Sequence, residues 1–171
     1  MRILGIDPGS RVTGWGVLES DGWELAHVAH GAVRCPHGLT LADRLRLIAD
    51  GLARVIAEHR PGVAAVEAIF TSRSARAALV LGHARGAALL TVARADLDLH
   101  EYAAQQVKAS VTGYGRAEKR QVQQAVATQL ALREPPSPVD AADALATAIC
   151  HAATVRLRAR AALLEADGAL R

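Results

Sequence analysis

An α/β fold built on a mixed sheet of five strands, three antiparallel and then parallel additions, is the class this sequence predicts, with helices flanking the sheet. Three observations predict it. Three apolar, strand-like runs fill the first 34 residues, separated by Pro8-Gly9-Ser10 and Asp21-Gly22 turns. Two later short runs, Val63–Glu67 and Leu97–Tyr102, each follow a helix-length segment, as parallel strands must. Between and after them the apolar residues recur at spacings of three and four.

Residues 2–7, 12–19 and about 23–34 read as consecutive antiparallel strands. Leu41, Leu45, Ile48, Leu52 and Val55 then mark one face of an amphipathic helix. Val63-Ala64-Ala65-Val66-Glu67 is a short buried strand with an acid at its end, and residues 74–94 form a long helix. Leu97 to Tyr102 is the fifth strand. Helices over about 104–111 and 117–131 are parted by Thr112-Gly113-Tyr114-Gly115. Pro135-Pro136-Ser137-Pro138 breaks the pattern before a last helix that starts near Val139. The pattern shows no linker or repeat, so residues 1–171 are expected to form a single domain with a helical tail over about 156–171.

Composition excludes several classes. Hydrophobic residues make up 51% of the 171, a globular proportion, and no run approaches the roughly 18 apolar residues of a membrane span. The opening Met1-Arg-Ile-Leu-Gly-Ile-Asp7 lacks the apolar core of a secretory leader. Two cysteines, Cys35 and Cys150, make neither a disulfide framework nor a metal motif, so a cytoplasmic setting is expected. The net charge of +3 is unevenly spread. Arg73, Arg76, Arg85, Arg94, Lys108, Arg116, Lys119, Arg120 and Arg133 face only Asp96, Asp98, Glu101 and Glu118 between residues 68 and 133. Such a stretch suits a polyanionic partner, and a solvated surface would have the same composition. Lys108 and Lys119 are the only lysines beside eighteen arginines. Their closeness in sequence suits a task for a compact ammonium, or chance.

The acids carry the chemistry. Asp7 ends the first strand after Ile3, Leu4 and Ile6, where a charge is costly unless a proton, cation or donors meet it. Glu67 ends the fourth strand. Asp140 and Asp143, three residues apart in a first helical turn, share one face among small residues. Singly, each has a plain reading: a turn aspartate, a strand-end acid, a pair favoured by the helix dipole. Together, carboxylates about 4 Å apart would repel by roughly 4 kcal/mol at an effective dielectric near 20. Hard divalent cations relieve that repulsion and leave the acids ionised. With no Cys/His ligand set, an all-oxygen site points to Mg²⁺ or Mn²⁺ and to phosphodiester hydrolysis with two ions.

Six segments in order make the chain recognisable: Gly5-Ile-Asp-Pro-Gly-Ser-Arg-Val-Thr-Gly-Trp-Gly16, Val66-Glu-Ala-Ile-Phe70, Leu81-Gly-His-Ala-Arg-Gly86, Glu101-Tyr-Ala-Ala-Gln-Gln-Val-Lys108, Gly115-Arg-Ala-Glu-Lys119-Arg-Gln-Val122 and Asp140-Ala-Ala-Asp143-Ala-Leu-Ala146. From Arg2 to about His151 the chain resembles the RuvC family of Holliday-junction resolvases, within the ribonuclease H-like superfamily. The resemblance implies a homodimeric, Mg²⁺-dependent endonuclease that nicks two opposed strands of a four-way DNA junction. It places two ions per site on Asp7, Glu67, Asp140 and Asp143, with Asp7 bridging and Mn²⁺ able to substitute. It makes Lys108 and Lys119 catalytic-centre residues on the scissile strand, and Phe70 an aromatic that stacks on a base, where the residue alone reads as core. It also implies company with the branch-migration proteins RuvA and RuvB.

Arg73, Arg76, Arg116 and Arg120 join the two lysines and Phe70 as expected DNA contacts. Ala68, Arg73 and His83 depart from the family pattern, which touches junction contacts and not the acids. A two-fold DNA junction matches a C₂ dimer. Gly82 and Gly86, one turn apart in the long helix, are the expected interface, unless that surface packs on the sheet.

Overall fold

The computed structural model of the chain describes residues 1–68 and 74–168. The strands are β1 (Arg2–Asp7), β2 (Val12–Ser20), β3 (Leu25–Arg34), β4 (Val63–Ala68) and β5 (Asp98–Ala103), in the spatial order β3-β2-β1-β4-β5. β2 pairs antiparallel with β1 and with β3, whereas β4 runs parallel to β1 and to β5. The expected mixed sheet is therefore present. The helices are α1 (Leu41–His59), α2 (Ala75–Arg94), α3 (Ala104–Thr112), α4 (Lys119–Gln129) and α5 (Val139–Gly168).

The two-residue period of each strand sorts the core into two layers. Leu4, Ile6, Val17, Ala64 and Val66 pack against Ile48, Leu52 and Val55 of α1 and Ala84, Ala88 and Val92 of α2. Ile3, Leu18, Val63 and Ala65 face the other way, onto α3, α4 and α5 through Val107, Val111, Val122, Val126, Leu145 and Ile149. Asp7 keeps step with Ile3, so it points to the α5 side.

Several boundaries differ from the sequence expectation by a residue or two, and three of them have a clear local reason. β3 begins at Leu25, because the Asp21 carboxylate accepts from the amides of Trp23 and Glu24 and holds both in the turn. β5 begins at Asp98, since Asp96 adopts a left-handed φ of 52° as the chain leaves α2. α4 begins at Lys119, two residues late, because Glu118 and Gln121 form a capping box there.

α2 turns Ala84, Ala88, Thr91 and Val92 inward. Gly82 and Gly86 lie on its exposed face, so that surface does not pack on the sheet. With Ala75, Ala78, Leu79 and His83 they border an open hollow of about 670 Å³. α5 is the longest helix described, and its second half leaves the domain with Leu157, Leu163 and Leu164 exposed.

Candidate active site

The parallel register sets Ile6 beside Val66, so one residue further on Asp7 and Glu67 stand side by side at the carboxyl ends of β1 and β4. Strand ends of such sheets are where sites are assembled. On the other side Asp7 pairs with Gly14 of β2. The first turn of α5 lies directly on Gly14: a Cβ there would fall 1.9 Å from the Asp140 carbonyl oxygen. Gly5 does the same for the next turn of the helix, with a Cβ position 1.9 Å from the Ala144 carbonyl oxygen. Only hydrogen at these two positions lets the helix backbone touch the sheet, and that contact brings Asp140 and Asp143 down to Asp7.

The electrostatics register the approach. Asp7 is raised from 3.8 to about 7, first by burial and then by the charges of Asp143, Glu67 and Asp140, against a smaller opposing pull from Lys119. Glu67 is also raised, by burial and by Asp143, with Lys108 and then Lys119 opposing. Lys119 Nζ stands 3.2 Å from Asp143 Oδ2. Its own pKa is raised, chiefly by that carboxylate, with Asp7 and Asp140 contributing. The four acids and two lysines singled out in the sequence therefore share one electrostatic neighbourhood. Among the described residues, no three His, Cys, Asp or Glu side chains are gathered into a ready metal cage. The like charges feel one another and stand apart.

Arg76, Arg116 and Arg120 are exposed, and Lys108 is half-buried. Phe70 and Arg73 lie outside the described residues. Sequence reasoning missed the glycine contact under α5, although Gly5, Gly14 and Gly16 alternating on two paired strands were visible as a signal. It also missed a buried group behind the site: the His151 ring, 2% exposed on α5, has Nδ1 2.8 Å from the Tyr102 hydroxyl and packs on His100. Burial, aided by His100 and Arg158, lowers His151 to about 4 and keeps it neutral.

Comparison with known proteins places this geometry. The profile of the family described as crossover junction endodeoxyribonuclease RuvC matches residues 3–151. The chain belongs to the RuvC family. A RuvC from Bordetella avium is 51% identical over 97% of this chain and 91% of its own. One from Syntrophotalea carbinolica is 55% identical over 89% and 94%. The solved structure of T. thermophilus RuvC in complex with Holliday junction substrate superposes with a TM-score of 0.86 at 33% identity, covering 92% of this chain and 96% of that one. The sheet is the ribonuclease H-like one that RuvC shares with other resolvases, and no described helix is long and apolar enough to cross a membrane.

Proposed function

We propose that this chain is a structure-selective endonuclease that resolves four-way DNA junctions by paired, symmetric nicks during recombination and DNA repair. The observation that carries the reading is the placement of Asp7 beside Glu67 at the strand ends, with the first turn of α5 resting on Gly14 and Lys119 on Asp143, in a RuvC family frame.

The donor set fits hard divalent cations: four carboxylates on rigid elements, without thiol or imidazole among them. Asp7, Glu67, Asp140 and Asp143 would hold two Mg²⁺ ions, or Mn²⁺ in their place. Bound there, the ions would supply an activated water and charge stabilisation at the leaving oxygen. The chain's own residues do the rest. Asp7, the carboxylate on which Asp143, Glu67 and Asp140 all act, would be the one shared between the ions. Lys119 offers three donors on a flexible stem, so it can leave Asp143 for a phosphate oxygen that gains negative charge. Lys108 faces the same phosphate from the Glu67 side. Arg76, Arg116 and Arg120, with Phe70 of the family pattern and Arg73, which departs from it, hold the DNA arms as phosphate and base contacts.

Symmetric nicks require two equivalent sites, hence a homodimer. The exposed Gly82–Gly86 face of α2 is the surface we assign to it. Gly86→Leu should then yield monomers in analytical ultracentrifugation, and a persisting dimer would move the interface elsewhere. RuvA and RuvB are the partners proposed from the resemblance, and the cytoplasm the compartment.

A labelled synthetic junction, a linear duplex and an RNA–DNA hybrid, each with and without Mg²⁺, test the function. Junction cutting that needs Mg²⁺, with Asp7→Asn binding but not cutting, is expected. Equal cutting of plain duplex or preference for the hybrid would overturn it.

A further inference from the structure

We infer that Tyr114 is a base-stacking contact: its ring takes an unstacked nucleobase of the DNA held at the carboxylate site. The inference rests on the junction reading above and adds an aromatic contact that the family-like segments do not assign.

Tyr114 sits in the connection between α3 and α4, and both ends of that connection touch the site. Lys108, one turn before the end of α3, acts on Glu67, and Lys119, the first residue of α4, meets Asp143 at 3.2 Å. Tyr114 is five residues from Lys119, within roughly 17 Å along even a fully extended chain. Its neighbours Arg116, Lys119 and Arg120 are all exposed. A phosphate backbone drawn to these cations passes the loop.

The loop is held firmly. Gly113 closes α3 in a left-handed conformation, with φ 84°, its amide donating to the Ala109 carbonyl. The Thr112 hydroxyl donates toward the carbonyls of Lys108 and Tyr114, at 2.8 and 3.0 Å. Gly115 lies against Gln105, where a Cβ would come 3.1 Å from the carbonyl oxygen. Ala117 is buried in the core immediately before the Glu118 cap of α4. Yet the Tyr114 side chain projects from this fixed frame 46% exposed. Neither its hydroxyl nor its ring has a hydrogen bond or ring contact among the described residues. An aromatic side chain on a fixed backbone gives up only the freedom of two side-chain torsions on binding, and base–aromatic stacking is sequence-tolerant because every base presents a π-face.

The cations explain phosphate binding but not selection of DNA form. In a continuous duplex every base face is covered by its neighbours. Within the body of a duplex no face is open, whereas the exchange point opens one, so an exposed tyrosine on the loop that joins Lys108 and Lys119 favours a junction over a duplex.

The test uses the full chain in EDTA, which prevents cutting, with a synthetic four-way junction and a linear duplex of the same arm sequence. 2-Aminopurine is placed in turn at each nucleotide flanking the exchange point. Tyr114→Ala and Tyr114→Leu should each bind the junction about 5- to 160-fold more weakly, the range expected for one lost stack. Duplex binding should hold, and Tyr114→Phe should match the parent. Quenching of one 2-aminopurine position should persist in Tyr114→Phe and vanish in the other two. Unchanged junction affinity in Tyr114→Ala and Tyr114→Leu overturns the inference. So does a Tyr114→Phe as weak as Tyr114→Ala, which makes the contact a hydroxyl–phosphate bond, or equal loss on duplex and junction. A parent protein that does not prefer the junction at all defeats the functional reading instead, which keeps the two failures distinguishable.

Discussion

Asp7→Asn should stabilise the metal-free protein, and by more as the pH rises. The folded chain holds the Asp7 proton up to about pH 7, whereas an unfolded aspartate releases it near 3.8. A raised pKa favours folding fully only below the unfolded value. Between 3.8 and about 7 the unfolded chain gives up its proton first, so stability is lost progressively as pH climbs through that window. Three pH units at 1.36 kcal/mol each set the full loss at about 4 kcal/mol, and salt together with partial exposure brings the expected figure to roughly 2–4 kcal/mol. Asparagine keeps the shape and removes the charge, so the variant escapes this loss.

His151 titrates in the opposite sense. Lowered to about 4 in the folded chain, it makes stability fall as pH drops below its usual 6.5. The parent's own pH profile is thus a sum of opposed slopes. Subtracting the parent from Asp7→Asn isolates Asp7, because the histidine is common to both. Urea unfolding in EDTA at pH 4.5, 6 and 8 provides the difference, which should be under about 1 kcal/mol at pH 4.5 and reach its ceiling by pH 8. Added Mg²⁺ should then stabilise the parent and leave the variant almost unmoved. A difference that does not grow with pH, or an Asp7→Asn protein less stable than its parent at pH 8, would refute the argument that Asp7 is a stressed carboxylate.

Two further outcomes follow from neighbouring contacts. Lys119→Ala removes an ion pair whose lysine is 71% exposed, so unfolding free energy should change by no more than about 1 kcal/mol while junction cleavage falls at least tenfold, measured by denaturation and single-turnover gels. Gly14→Ala places a Cβ 1.9 Å from the Asp140 carbonyl, which must retreat by more than about 1 Å, so calorimetric Mn²⁺ affinity should drop at least tenfold while Gly82→Ala, with open space around it, changes nothing.

How much of this was legible in the sequence depends on the range of the interaction involved. The strands, the helices and the four acids are written in local patterns: period two in Ile3-Gly5-Asp7, period three to four along α1, a three-residue spacing between Asp140 and Asp143. Turn chemistry was legible too, but only to within a few residues. The Asp21 side chain captures two amides and shortens β3, and the Glu118–Gln121 box moves the start of α4. What no local pattern holds is which elements touch. Tyr102 and His151 lie 49 residues apart and meet only because β5 and α5 pack together.

The same limit explains why the acids, though visible in the sequence, are brought together only through glycines. Asp7 and Asp143 are separated by most of the chain, and nothing in either motif says how closely β1 and α5 approach. That distance is set by the missing side chains of Gly5 and Gly14, since a single methyl group at either would collide with helix backbone. Close packing makes such a contact all-or-none: backbone cannot be compressed, so α5 either rests on the sheet or lifts away from it. Resting there, it buries Asp7 and sets it among three other acids, and the burial first and the repulsion second hold a proton on Asp7 up to about pH 7. The strain is thus sustained by the packing of the α5 core layer around Leu145 and Ile149. A site assembled this way gives up stability without cations and gains affinity with them, so the residues that tune activity include glycines with no chemistry of their own.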